Sequence, residues 1–141
     1  MLMRENVIYA LGFFDGVHLG HQALLTACRH LAQQHSCKAG AVTFGSHPET
    51  LVAGKAPELI NSVEDRTGLL SAYGMEEILV LTFDRILQTT HWAAFLTQLV
   101  DAGAAGFVCG SDFRFGSGGL GTAKKLAAFC EKQNLPYQIV P

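Results

Sequence analysis

The chain has 141 residues, 49% of them hydrophobic and 16% charged, with a formal charge of −2 and a pI of about 6.3. That length fits one domain with a real core, and a positive mean hydropathy excludes a disordered chain. No basic stripe is present to serve nucleic acid, so a bound anion must be held by local geometry.

In chain order, the N-terminal MLMREN carries one arginine and none of the apolar core of a signal peptide. No apolar run reaches the roughly 20 residues that span a bilayer, so the chain reads as soluble and cytoplasmic. Val7–Leu11 (VIYAL) is a short apolar run stopped by Gly12 and reads as a buried strand. Residues 20–34 place Ala23, Leu24, Ala27 and Leu31 at helical spacing. Residues 38–44 (KAGAVTF) read as a second strand, residues 63–73 as a helix stopped by Gly74, and residues 78–83 (ILVLTF) as a third strand. Thr89 and Thr90 are candidate caps for a helix over residues 91–102, which Gly103 ends. Residues 107–109 form a fourth, very short strand, residues 122–133 a helix and residues 137–140 a fifth strand. Residues 45–61, broken by Gly45, Pro48, Gly54 and Pro57, form the longest irregular stretch and read as a mobile loop over the site.

Strands therefore alternate with helices, and the strands are continuous apolar runs. This pattern predicts a parallel sheet covered by helices on both faces. Ligands of such sheets bind outside the carboxyl ends of the strands. Three stretches fall at such ends: residues 12–21, 44–48 and 110–121.

The first is GFFDGVHLGHQ, residues 12–22. His18 and His21 straddle a predicted helix start, where unpaired N–H groups and the helix dipole welcome an anion. Gly12, Gly16 and Gly20 allow close backbone approach. A zinc site made by His18, His21 and His47 is disfavoured, because the spacing is not i, i+4 and no glutamate stands beside the pair as a base. The second stretch, TFGSHPE, offers His47 as a ligand-orienting group or as part of a plain turn. The third, GSDFRFGSGGLG, contains a formal G-x-G-x-x-G at Gly116, Gly118 and Gly121. It does not directly follow a strand, and no acidic residue lies about 20 positions on, so it is not a dinucleotide fingerprint. Asp112 and Arg114 are its candidate ligand contacts. Phe113 and Phe115 are either aromatic ligand faces or core. His30, His35 and His91 read as solvated, and Trp92 and Phe95 as core. Cys28, Cys37, Cys109 and Cys130 form no C-x-x-C pair and read as buried, reduced thiols.

Taken together, GFFDGVHLGHQALL resembles the nucleotide-binding signature of the bacterial FAD synthetase family. The likeness is to the FMN adenylyltransferase module of the bifunctional riboflavin kinase/FMN adenylyltransferases, within the wider H-x-G-H nucleotidylyltransferases. Thr43-Phe44 with His47-Pro48 is similar to the family's T-F-x-P-H-P, and GSDFRFG to its G-x-D-F-x-F-G. Leu79-Val80-Leu81, Phe83-Asp84 and Phe95 resemble the intervening segment. The resemblance implies a Rossmann-like three-layer α/β/α fold with a five-stranded parallel sheet. It also implies the reaction FMN + ATP → FAD + pyrophosphate, with Mg²⁺.

By the same resemblance, His18 and His21 hold the ATP phosphates, and His21 stabilises charge at the transferring centre. Gly12, Phe13, Phe14, Asp15, Gly20 and His47 line the ATP. Asp112, Phe113, Arg114 and Phe115 stand toward the flavin or the metal. Three departures stand out. Ser46 replaces the first proline of T-F-x-P-H-P, and residues 1–141 contain neither an S-S-T-x-x-R motif nor a riboflavin kinase domain, as in a fragment of a longer protein or a short relative. The expectations are a single domain over residues 1–141, turnover reduced by the missing phosphate clamp, and self-association through surface that a C-terminal segment would cover. Two alternatives stay open: a module that binds nucleotide or flavin without turnover, and an adenylyltransferase for another phosphorylated acceptor.

Overall fold

The computed structural model describes residues 6–12, 14, 19–44, 63–81 and 85–141. Its elements are β1 (Val7–Leu11), α1 (Leu19–Gln34), β2 (Lys38–Phe44), α2 (Val63–Ala72), β3 (Glu77–Leu81), α3 (Arg85–Thr89), α4 (Trp92–Asp101), β4 (Ala104–Gly110), a 3₁₀ turn (Ser117–Gly119), α5 (Ala123–Gln133) and β5 (Tyr137–Val140). The strands form one five-stranded sheet in the order β3-β2-β1-β4-β5, and every pairing is parallel. From β1 the chain builds outward through β2 to β3, then returns to β4 on the other side of β1. The strand order therefore reverses between β1 and β4.

Two apolar clusters flank the sheet. On one face Ile8, Ala10, Ala39, Ala41 and Val108 pack against Leu24, Leu25, Cys28 and Leu31 of α1 and Leu70 of α2. On the other face Tyr9, Leu11, Val42, Phe107 and Cys109 pack against Phe95, Leu96 and Leu99 of α4 and Leu126 and Cys130 of α5. Strand alternation sends odd-numbered residues of β1 to one cluster and even-numbered residues to the other. The expected three-layer α/β/α architecture is what the chain adopts. All of β1 and nearly all of β2 are buried, as apolar runs covered on both faces require, while the edge strands β3 and β5 are half-buried.

Several boundaries differ from the sequence expectations. Strand β4 is seven residues long, because Ala104-Ala105-Gly106 precede the apolar run. Gly106 is small for a steric reason. A Cβ at Gly106 would lie 2.5 Å from the Pro136 carbonyl oxygen and 2.7 Å from Ile8 Cδ1. The β1–β4 register also shifts there, from Val7 opposite Ala104 to Ile8 opposite Gly106. Thr89 and Thr90 do not cap α4. Their hydroxyls donate back to the Ile86 carbonyl at 3.2 and 2.6 Å, within and just after the short helix α3. His91 is the cap: its Nδ1 accepts from the Ala93 N–H at 3.1 Å. It is exposed, as expected, but it has a structural task. Likewise Thr122 lies outside α5 and caps it, accepting from the Lys125 N–H at 3.2 Å. The C-terminal stops at Gly74 and Gly103 hold, with φ of 92° and 117°. The predicted loop at 45–61 and residues 82–83 of the predicted third strand lie outside the described residues.

All four cysteines are free thiols, and Cys28, Cys109 and Cys130 are buried. Burial pushes the thiols of Cys28 and Cys130 up to about 12 and that of Cys109 up to about 11. Cys28 Sγ also donates to the Ile8 carbonyl at 3.2 Å. These three thiols stay protonated and screened at neutral pH. Cys37 is only partly buried. An aromatic disulfide reagent is therefore expected to label one thiol per folded chain, at Cys37, and the other three only after denaturant is added. Rapid labelling of more than one thiol in the folded chain would contradict this packing. Among the described residues, no helix is long and apolar enough to cross a membrane.

Candidate functional site

The reversal between β1 and β4 opens a gap at their carboxyl ends, where the two flanking connections part to opposite faces. A cleft of about 380 Å³ fills this gap. Leu11 and Gly12 line it from the end of β1, Gly110 to Phe113 from the end of β4, and Val140 and Pro141 from the end of β5. His21 and Leu24 project into the lining from the first turns of α1. The volume falls in the range of about 300–1,000 Å³ typical of small-molecule sites.

Each wall has a local cause. Gly12 leaves β1 with its N–H donated to the Val42 carbonyl at 3.1 Å, so the first strand is held to β2 up to the cleft. Beyond β4 the chain turns at once. Ser111 donates its N–H to the Val140 carbonyl at 2.9 Å, and Phe113 donates to the Gly110 carbonyl at 3.2 Å. This turn leaves Asp112 exposed at the mouth and Phe113 half-buried beside it. Helix α1 starts at Leu19, so its positive dipole end lies in the turn that carries His21. The His21 imidazole is half-buried and its Nδ1 is screened from solvent.

The structure thus brings Gly12, His21, Asp112 and Phe113 together on one cleft, and Gly20 occupies the second position of α1. Arg114 is exposed. It lines a smaller recess of about 210 Å³ next door, shared with Ser111, Asp112, Phe113 and Thr122, and its Nη1 reaches the Gly119 carbonyl at 3.5 Å. Of its two readings, the Phe115 side chain takes the core: it is 5% exposed, lies against Phe95, and stacks under Phe113 at 6.0 Å between centroids. The Phe14 side chain is 0% exposed and packs under α1. Phe13, Asp15, His18 and His47 lie outside the described residues.

Phe115 and Gly121 exchange backbone hydrogen bonds, and a Cβ at Gly121 would lie 2.6 Å from the Phe115 ring. A Cβ at Gly116 would lie 2.7 Å from Trp92 Cα, so the loop is pressed onto the start of α4. The sequence pattern does not single out Val140 and Pro141; the rule that ligands sit beyond the carboxyl ends of strands is the signal that finds them.

A family model described as FAD synthetase matches residues 2–141. A bifunctional riboflavin kinase/FMN adenylyltransferase of Bacillus subtilis (strain 168) is 31% identical over 122 residues, covering 84% of this chain and 39% of that protein. The protein of the same name from Listeria monocytogenes is 30% identical over 129 residues, covering 89% and 41%. The chain therefore spans about two fifths of the length of these curated relatives. A crystal structure described as a macrolide-efflux protein from Streptococcus pneumoniae superposes with a TM-score of 0.82 at 25% identity, over 100% of this chain and 54% of that one. With the family model matched along nearly its whole length, the chain belongs to the FAD synthetase family.

Proposed function

We propose that this chain is an FMN adenylyltransferase module that transfers AMP from ATP to FMN, giving FAD and pyrophosphate. The observation that carries the reading is the cleft at the β1–β4 reversal, which gathers His21, the start of α1, Asp112 and Phe113 on one rim. The family match over residues 2–141 and the names of the relatives support it.

In this reading a phosphate oxygen of FMN bonds to the α-phosphorus of ATP. The bond from that phosphorus to the bridging oxygen breaks, and pyrophosphate leaves with the electron pair. Such transfer depends on positioning and on charge stabilisation. His21 and the positive dipole end of α1 neutralise charge on the α-phosphate, and His18 takes the neighbouring phosphates. Gly12 lets the nucleotide approach the end of β1. Phe113 presents its face to the flavin, and Arg114 in the adjoining recess meets the FMN side.

The reaction implies Mg²⁺. Among the described residues no group of three or more His, Cys, Asp or Glu could hold a metal ion, and Asp112 is the carboxylate on the cleft. One carboxylate fits Mg²⁺ that arrives on ATP, because this ion keeps several waters and binds through substrate phosphates and one or two carboxylates. Asp112 would hold it there. Bound, the ion neutralises charge on the phosphates.

Isothermal titration calorimetry with Mg-ATP and FMN, added singly and together, tests the reading. Both ligands are expected to bind, each at one site, and Asp112→Ala is expected to weaken Mg-ATP more than ATP without metal. Absence of heat with either ligand would overturn the reading.

A further inference from the structure

Phe14 has φ of +58°, a left-handed conformation that a bulky L residue rarely adopts. Its ring is fully buried in the cluster formed with Leu24, Leu25 and Cys28 of α1. Two residues of the cleft rest on that ring. A Cβ at Gly12 would lie 3.0 Å from Phe14 Cζ and 3.2–3.3 Å from its two Cε atoms. The His21 imidazole meets the ring in a T-shaped contact, with centroids 5.3 Å apart and planes at 64°. Phe14 touches no ligand space itself, yet it contacts a residue on each side of the cleft. Glycine would suit the backbone here, so the ring must serve a purpose that outweighs the strain.

We propose that Phe14 is the positioning residue of the site: its left-handed turn drives the ring beneath Gly12, and the ring fixes the orientation of the His21 imidazole at the cleft. The proposal rests on the function proposed above for what His21 does, but not for how His21 is held. Aromatic pairs of this geometry are directional, so a ring is needed and an aliphatic side chain of similar bulk does not replace it. Gly12 belongs to the same unit, since any side chain there would displace the ring.

Proton NMR of the histidine imidazoles in the ligand-free chain, paired with steady-state kinetics, tests this. In Phe14→Leu the His21 ring resonances are expected to move, while those of the exposed His30, His35 and His91 stay in place. The kcat for FAD formation is expected to fall about tenfold, with KM for Mg-ATP nearly unchanged, because the loss is one of alignment. Gly12→Ala is expected to move the His21 resonances too, and the two changes combined to have less than their summed effect, since removing the ring makes room for the methyl. Unmoved His21 resonances in a folded Phe14→Leu chain would overturn the proposal, as would additive effects of the two substitutions. Should Phe14→Leu not fold, unmoved resonances in Gly12→Ala overturn it alone. Should the parent chain make no FAD, the proposed function fails, while the resonances still decide how His21 is held.

Discussion

Replacing His21 with alanine is expected to lower kcat for FAD formation by a factor on the order of 10²–10³, the usual loss when a preorganised donor to developing charge is removed. Stability should change far less. The imidazole is only half-buried, and its ring contact with Phe14 is worth about 1 kcal/mol. The fold does not rest on it, because the strand order and both apolar clusters are built from other residues. Steady-state kinetics beside urea unfolding separates the two effects. A large drop in kcat with a nearly unchanged unfolding midpoint is the expected pattern. Unchanged turnover would remove His21 from the chemistry.

Phe107→Ala is expected to have the opposite profile, a loss of about 3–5 kcal/mol of stability. Phe107 is 0% exposed on β4. It packs in the cluster where Tyr9 and Leu11 of β1 meet Leu96 and Leu99 of α4 and Leu126 of α5. The cavity left by the ring has strands on one side and two helices on the other, none of which can close it without moving the sheet. A loss of that size is a large part of the roughly 5–15 kcal/mol that holds an ordinary domain folded. Urea unfolding followed by circular dichroism reads it directly. A loss below about 1 kcal/mol would mean that the two helices are not packed on the sheet as described.

The sequence shows the layers of this fold more clearly than its seams. Val7–Leu11 and Lys38–Phe44 are legible because strands covered on both faces are unbroken apolar runs, and that signal needs no partner to be read. The first three residues of β4, Ala104-Ala105-Gly106, are not legible. Gly106 carries no side chain because Pro136 and Ile8 occupy the space, and those neighbours are distant in sequence. The five-residue helix at Arg85–Thr89 is too short to show a period, so Thr89 at its end and Thr90 just after it look like the start of the next helix.

At the site, the convergence of Gly12 and His21 with residues 110–113 follows from strand polarity and could be read before any coordinates. The orientation of single side chains could not. Phe14 and Phe115 sit inside the two quoted motifs, but each side chain points inward, one from a left-handed backbone and the other beside its pairing with Gly121. Burial of this kind is decided by packing partners that a local pattern does not contain.

The most direct test of the central claim is to incubate the chain with FMN, Mg²⁺ and ATP labelled at the α-phosphate, and to follow the label by chromatography. The account predicts that the label moves into FAD, with one pyrophosphate released for each FMN consumed. Recovery of labelled ATP and unreacted FMN from a mixture in which both are bound would contradict it.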